Sequence, residues 1–294
     1  MTTADCIIEL FCRIDDIVSK KKDEPKNGND DGNKAVIASH PLEKLHPSEL
    51  ITIGVLFALK GVGERAFYRW LERDWRGFFP QLPERTRLFR RLKTHRDWTR
   101  AFLAEPTVLG IADTYGIELI HPKRAGRSER QIGSKGLSNN RWIVGAKLCC
   151  ALNQRARIVD WDCDGAGVYD TAFHPLLWQW VKENDQTTEP TIDMIVLADT
   201  GFHARADKGV YGTGDPPNLK ICPKGRWNER MLVETVLSML TVVCHAKQMA
   251  HRAWEYLKTR LGYLVTAYNL LVDWKPDVFN DKGQRTLTIA EFSL

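Results

Sequence analysis

The sequence contains no C-x-x-C pair. Its seven cysteines are Cys6, Cys12, Cys149, Cys150, Cys163, Cys222 and Cys244, and several lie in apolar runs. Without paired spacing there is no zinc site or dithiol redox motif to read. The expectation is reduced, buried thiols of a cytosolic protein, not a disulfide frame. No apolar run approaches the roughly 20 residues that cross a bilayer, so no membrane partner is expected. The first residues, MTTADCIIELFCRIDD, carry Asp5 and Glu9 and no basic leader, which argues against a secretory signal there. No internal repeat is visible. These absences leave a chain of 294 residues, 43% hydrophobic and 27% charged. That composition suits a soluble globular protein of one large or two modest domains.

Charge is present and unevenly placed. The net charge is +5, a weak hint by itself. From Lys60 to Arg100 there are 12 Lys/Arg against 5 Asp/Glu, and from His121 to Lys147 there are 7 against the single Glu129. One basic block is usually a solvated face. Two on an otherwise near-neutral chain suggest two surfaces for a polyanion.

The apolar pattern divides the chain. Ile7, Ile8, Phe11, Ile14 and Ile17 fall near helical spacing over residues 1–18. The stretch SKKKDEPKNGNDDGNK, residues 19–34, is polar and aperiodic and is expected to be a disordered linker. His46-Pro47-Ser48-Glu49 opens a helix that runs through LITIGVLFAL to Gly61 and Gly63. A second helix interleaves Arg65 and Arg69 with aromatics. RTRLFRRLKTHRDWTRAFL, with Arg90 and Arg91, predicts a third with a dense basic face. Strands are expected over 108–122, 141–152, 156–163, 193–198 and 218–223, a helix over 170–181, and two long helices over 228–249 and 251–274. Strand, strand, strand, helix, strand, helix is the order of an RNase H-like α/β domain. The fold class expected is therefore α/β: an RNase H-like mixed sheet flanked by helices, preceded by an all-α DNA-binding domain. The boundaries are 1–41, 42–104, 105–275 and a tail, 276–294.

Two stretches look alike, VLGIADTYG with Asp113 and MIVLADTGF with Asp199. Each is an apolar strand delivering a carboxylate at its C-terminal side, where ligand sites collect in α/β sheets. A charge does not belong inside a strand buried on both faces, so the acid that ends one invites a ligand. Two carboxylates brought together repel and favour a divalent cation, and Mg²⁺ is held by few carboxylates plus water and phosphate oxygens. A third acid is expected from a helix. Trp227, Arg230, Glu234 and Thr241 are 3, 4 and 7 residues apart in RWNERMLVETVLSML and share one helical stripe. Glu229, Asp207, the group Asp160, Asp162 and Asp164, and His203 are competitors. Trp227 would stack on a displaced base or pack in a core; Arg230 and Lys147 would hold phosphates or pair with the acids.

Taken together, ADT, VGAKL, VLADTGF and WNERMLVE resemble the D-D-E transposases of bacterial insertion sequences, particularly the large grouping around families four and five. The likeness covers roughly residues 105–275. Trp227 takes the usual Tyr place of the signature helix, Arg230 and Glu234 match, and Thr241 stands where that signature carries Lys, with Lys247 further along.

The resemblance implies that Asp113, Asp199 and Glu234 are both catalytic and metal-binding, holding two Mg²⁺, with Mn²⁺ as a substitute. Two ions about 3.5–4 Å apart activate a nucleophile and stabilise the leaving oxygen of an in-line displacement. It further implies binding of double-stranded DNA, at the element's terminal inverted repeats and at the target. Lys147, Trp227, Arg230, Lys247, Arg65, Arg69, Arg90, Arg91, Lys123, Arg124 and Arg127 are the candidate contacts. A homodimer pairing two ends, and a place in the bacterial cytoplasm at the nucleoid, are also implied. A nuclease of the same fold and a domesticated, non-catalytic DNA-binding protein are the alternatives.

Overall fold

The computed structural model describes residues 2–23, 37, 44–138, 140–182, 191–204, 214–222, 230–274, 278, 279, 285, 286, 292 and 294. In chain order its elements are α1 (Thr3–Asp23), α2 (Pro47–Lys60), α3 (Glu64–Asp74), α4 (Arg85–Thr94), β1 (Leu109–Ile120), β2 (Ser134–Ser138), β3 (Arg141–Asn153), β4 (Ile158–Gly165), α5 (His174–Trp178), β5 (Val181–Lys182), β6 (Thr191–Ile192), β7 (Ile195–Ala198), β8 (Leu219–Ile221), α6 (Arg230–Val242), α7 (Trp254–Trp274), β9 (Val278–Phe279) and β10 (Arg285–Thr286). The architecture is mixed α/β. Two compact units divide it, Met1–Leu103 with Met239–Leu294, and Ala104–Ser238. The division after residue 103 falls beside the sequence boundary at 104. At the other end α7 belongs to the helical unit rather than to the 105–275 segment, and the division falls within α6. Among the described residues no helix is long and apolar enough to cross a membrane.

The helical unit is built around α2 and α7, which bury nearly every residue and pack on each other. Helices apolar all round belong in an interior. His46 and Glu49 close a capping box around the first turn of α2, Pro47 occupies that turn, and Gly61 ends the helix at φ 65°. These groups satisfy ends that would otherwise leave bare N–H and C=O groups. Gly54 of α2 faces the Tyr263 ring so closely that a Cβ there would collide with it. α1 buries Ile7, Leu10, Ile14 and Val18, whereas Ile8 is exposed, so its stripe is rotated from the expected one. α1 also continues to Asp23, making residues 19–23 helical; the rest of the expected linker lies outside the described residues.

The second unit holds a curled six-stranded sheet in the order β2-β3-β1-β7-β8, with β4 also on β3. β3 is antiparallel to β1 along one edge. Along its other edge the first half pairs with β2 and the second half with β4. Gly145 lies where the partner changes; a Cβ there would strike the backbone of Ile117, so the tight curl requires glycine. β7 joins the free edge of β1 in parallel, and β8 joins β7 in parallel. One face of the sheet, with Ala112, Cys149, Ala151, Val196 and Ala198, packs against Phe173, Leu177, Trp180 and Phe202. The expected helix over 170–181 is shorter. It is a 3-10 turn, Asp170–Phe173, then α5, with Pro175 in its first turn, and the chain is extended again by Val181. Proline fits the first turn of a helix but not its interior. α6 and α7 likewise stop short of 228–249 and 251–274. All seven cysteines are free. Five are buried, Cys12 is exposed and Cys222 half-buried.

Gly54→Ala is expected to cost about 1–3 kcal/mol through overpacking against Tyr263, despite alanine's better helix propensity, and to lower the thermal midpoint by calorimetry. The Tyr263 hydroxyl is buried without a partner among the described residues, so Tyr263→Phe should be neutral or stabilising in the same assay. Burial, then the Arg260 charge, lowers the His251 imidazole from 6.5 to about 4. The folded chain thus disfavours the imidazolium. This contribution is full above pH 6.5 and is lost as pH falls from there through about 4. Denaturant titration across that window should show the slope, and His251→Gln should flatten it.

Candidate active site

The parallel ladder between β1 and β7 aligns Leu109 with Ile195, Gly110 with Val196 and Ile111 with Leu197. The ladder ends there, two residues before Asp113 on β1 and two before Asp199, which follows the end of β7. Neighbouring strands lie about 4.8 Å apart, and successive side chains alternate between faces. Ala112 and Ala198 face the core beside α5, and strand alternation turns Asp113 to the opposite face. The two look-alike stretches pair along the parallel ladder.

The strand contexts differ. Asp199 follows the last residue of β7 with extended backbone, φ −80° and ψ 175°. Asp113, expected at a strand end, lies in the middle of β1, which continues to Ile120. Its accessibility arises from the partner: β7 has four residues and ends beside it. Each acid also has a local bond. Asp199 Oδ1 accepts from Gly201 N at 2.9 Å and caps the turn Thr200–Phe202; Asp113 Oδ1 accepts from Thr114 N at 2.7 Å. Across the antiparallel ladder Asp113 faces Cys150. Burial, then the Asp113 charge, pushes the Cys150 thiol well up.

The sequence did not single out Asp170. Its Oδ1 accepts from Lys147 Nζ at 2.9 Å and from Thr114 Oγ1 at 3.0 Å. Lys147 also donates to Val168 O at 2.7 Å. A Cβ on Gly201 would collide with Asp170 Oδ2 and come within 3.0 Å of Asp199 Oδ1. Asp170 thus ties β1 to β3 and lies close against Gly201. Its letters, DTAF, read only as an acid at a helix start; the tie appears only once the register sets Lys147 and Thr114 beside it.

The remaining candidates are spread out. Lys147 pairs with Gly116 in the ladder, so it points to the face opposite Asp113. Its ammonium pairs with Asp170 at 15% side-chain exposure. Glu234 is exposed on α6. Arg230 begins that helix, but its side chain lies outside the described residues, as do Trp227, Glu229 and Asp207. Lys247 is not on the signature helix, because α6 ends at Val242 and His245 turns the chain at φ 53°. It lies in the helical unit with Arg65 and Arg69, exposed on α3, and with Arg90 and Arg91 on α4. Arg87, Arg90 and Arg91 line a cleft of about 540 Å³ with Lys44 and Arg76, and Arg91 donates to Leu45 O at 3.3 Å. Lys123 and Arg124, on a short 3-10 turn, and Arg127 are exposed in the sheet unit. Of the competitors, Asp160, Asp162 and Asp164 lie across from Ala151, Cys149 and Lys147, on the face away from Asp113. His203 Nδ1 lies 2.6 Å from Asp215 Oδ2. Among the described residues no group of three or more His, Cys, Asp and Glu side chains is gathered to hold a metal ion. Comparison with protein-family models, with curated proteins and with solved structures finds no match.

Lys147→Met and Asp170→Asn should each lower stability by about 1–3 kcal/mol by leaving a half-buried partner unpaired. In a double-mutant cycle followed by denaturant unfolding, the second change should cost much less than the first. Additive losses would mean that Lys147 is not held by Asp170.

Proposed function

We propose that this chain is a DNA transposase of the D-D-E type, acting on the ends of an insertion sequence. The observation that supports the reading is the parallel ladder of β1 and β7, which runs the two strands leading to Asp113 and Asp199 side by side. Three antiparallel strands followed by two parallel ones, in the order β4-β3-β1-β7-β8, support an RNase H-like sheet. The exposed arginines of α3 and α4 support a DNA-binding role for the helical unit, through contacts to phosphates that set register and affinity. Two such chains would pair two element ends.

The two aspartates fit a divalent cation. Carboxylates supply the hard oxygens that Mg²⁺ or Mn²⁺ takes, the rest of the shell being water and phosphate. A bound cation would neutralise the charge that develops on the reacting phosphate. Asp113 and Asp199 would hold it, and Glu234 would complete the set for two ions on approaching the pair. In the reaction a water oxygen attacks phosphorus in line and the 3′-oxygen leaves, freeing a 3′-OH at the element end. That 3′-OH attacks a target phosphodiester, forming the joint and releasing a target 3′-OH. The chain's own part is to align the nucleophile and hold the phosphates, with no covalent protein intermediate.

One observation favours a second reading, a DNA-binding protein without catalysis: three carboxylates are not gathered among the described residues. Strand transfer in vitro separates the two. With Mg²⁺ and labelled DNA carrying the element's ends, the intact protein should join strands. Asp113→Asn, Asp199→Asn and Glu234→Gln should each lose at least roughly 10²–10³-fold in rate while still binding DNA. Cleavage without joining would indicate a nuclease. Binding without either reaction would establish the second reading.

A further inference from the structure

Beside the turn that joins β2 to β3, two features serve neither the carboxylates nor the core. One is an exposed apolar pair. Trp142 on β3 and Leu137 on β2 oppose each other in the antiparallel ladder, and they are 56% and 54% exposed. Tryptophan is highly buried on average, and directly opposed residues of two strands share one face. Lys135, a diagonal step along β2, sets its Nζ 4.9 Å from the centre of the Trp142 ring. The ammonium interacts with one face of the indole. A tryptophan more than half exposed keeps surface for a second, flat partner.

The other feature is charge. Lys123, Arg124, Arg127, Arg130 and Lys135 are exposed, and among the described residues none has a carboxylate partner. Arg141, next to Trp142, is paired with Glu118. The ladders bring these groups near the ring. The chain leaves β1 at Ile120, opposite Val144, and enters β2 at Ser134, opposite Gly145. Val144 and Gly145 are two and three residues from Trp142, roughly 7–10 Å along the strand. The turn Pro122–Arg124 also packs on β3. Cations without partners beside an open aromatic ring fit a polyanion that itself carries flat faces. A nucleic acid with unpaired bases is such a ligand. In a duplex the base faces are stacked on one another, whereas in a single strand they stack on aromatic side chains while the phosphates meet the cations. Trp142 and Cys150 are eight residues apart on β3 and share a face, and Cys150 pairs with Asp113. The ring therefore lies on the face to which Asp113 turns.

We propose that Trp142, with Leu137 and Lys135, is a stacking platform for an unpaired base of a DNA strand whose phosphates are held by the cations of residues 123–135. The proposal rests on the DNA partner of the proposed function and not on its chemistry, because binding is read without cleavage or joining.

Fluorescence anisotropy of the full chain with labelled oligothymidylate, and with the same strand in a duplex, tests it. Saturable binding of the single strand is expected. Trp142→Ala should weaken it about tenfold and leave duplex binding unchanged, since duplex contacts go largely to phosphates. Trp142→Phe keeps a ring and should restore most of the affinity. Lys135→Gln should lower the slope of log affinity against log salt by about 0.7, whereas Trp142→Ala should leave that slope as it is. A strand carrying 5-iodouracil should crosslink to Trp142 under ultraviolet light, as located by mass spectrometry. No saturable single-strand binding, an affinity unmoved by Trp142→Ala, an equal loss on the duplex, or crosslinks only elsewhere would overturn the proposal. Vesicles of anionic phospholipid are the control: if Trp142→Ala abolishes their binding and spares the single strand, the platform belongs to a lipid surface and the proposal falls. Failure of strand transfer with platform binding intact would count against the catalytic reading alone.

Discussion

The parallel ladder between β1 and β7 is the contact on which the sheet unit depends. Among the described residues, β1 is the one strand with an antiparallel neighbour on one edge and a parallel neighbour on the other. Antiparallel strands can be joined by tight turns, but a parallel partner requires a crossover. Here that crossover contains α5, which packs against the face of the sheet where Ala112 and Ala198 lie. The small side chains of that face admit Phe173 and Leu177 to the core. Alternate residues of β1 face the other way, and that alternation puts Asp113 on the opposite surface.

Much of this was legible in the letters. The apolar runs before Asp113 and Asp199 marked two strands, which pair with each other in parallel. The helix start at His46-Pro47-Ser48-Glu49 was legible because capping is local chemistry. The site was only partly so. Sequence spacing does not reveal which edge of β1 receives β7, so Asp113 was expected at a strand end and lies in mid-strand. Nor does it reveal side-chain faces across a ladder: Lys147 and Asp113 look like members of one site until the register sets them on opposite sides. Helix length misled twice. Helical periodicity continued past Val242 and past Trp178, whereas the chain turned at His245 and became extended at Val181.

Asp170 is the clearest case of information that only the fold carries. It is an acid among the 37 of the chain, with no motif around it. Its meaning comes from Thr114, Lys147 and Gly201, which lie 56, 23 and 31 positions away in sequence and meet only in the folded sheet. Lys147 and Thr114 both donate to Asp170, so a half-buried network holds the chain around it against β1 and β3.

The cysteines have a practical consequence. Burial raises Cys6 and Cys244 to about 12 and Cys149 and Cys150 well above their ordinary value, so those sulfurs are protonated and shielded at neutral pH. Thiol reagents require the thiolate. Cys12, exposed on α1, is thus the natural attachment point for a fluorophore or spin label. The native chain brings its own reporter position to the N-terminal helix, and no engineered cysteine is needed to follow that helix in solution.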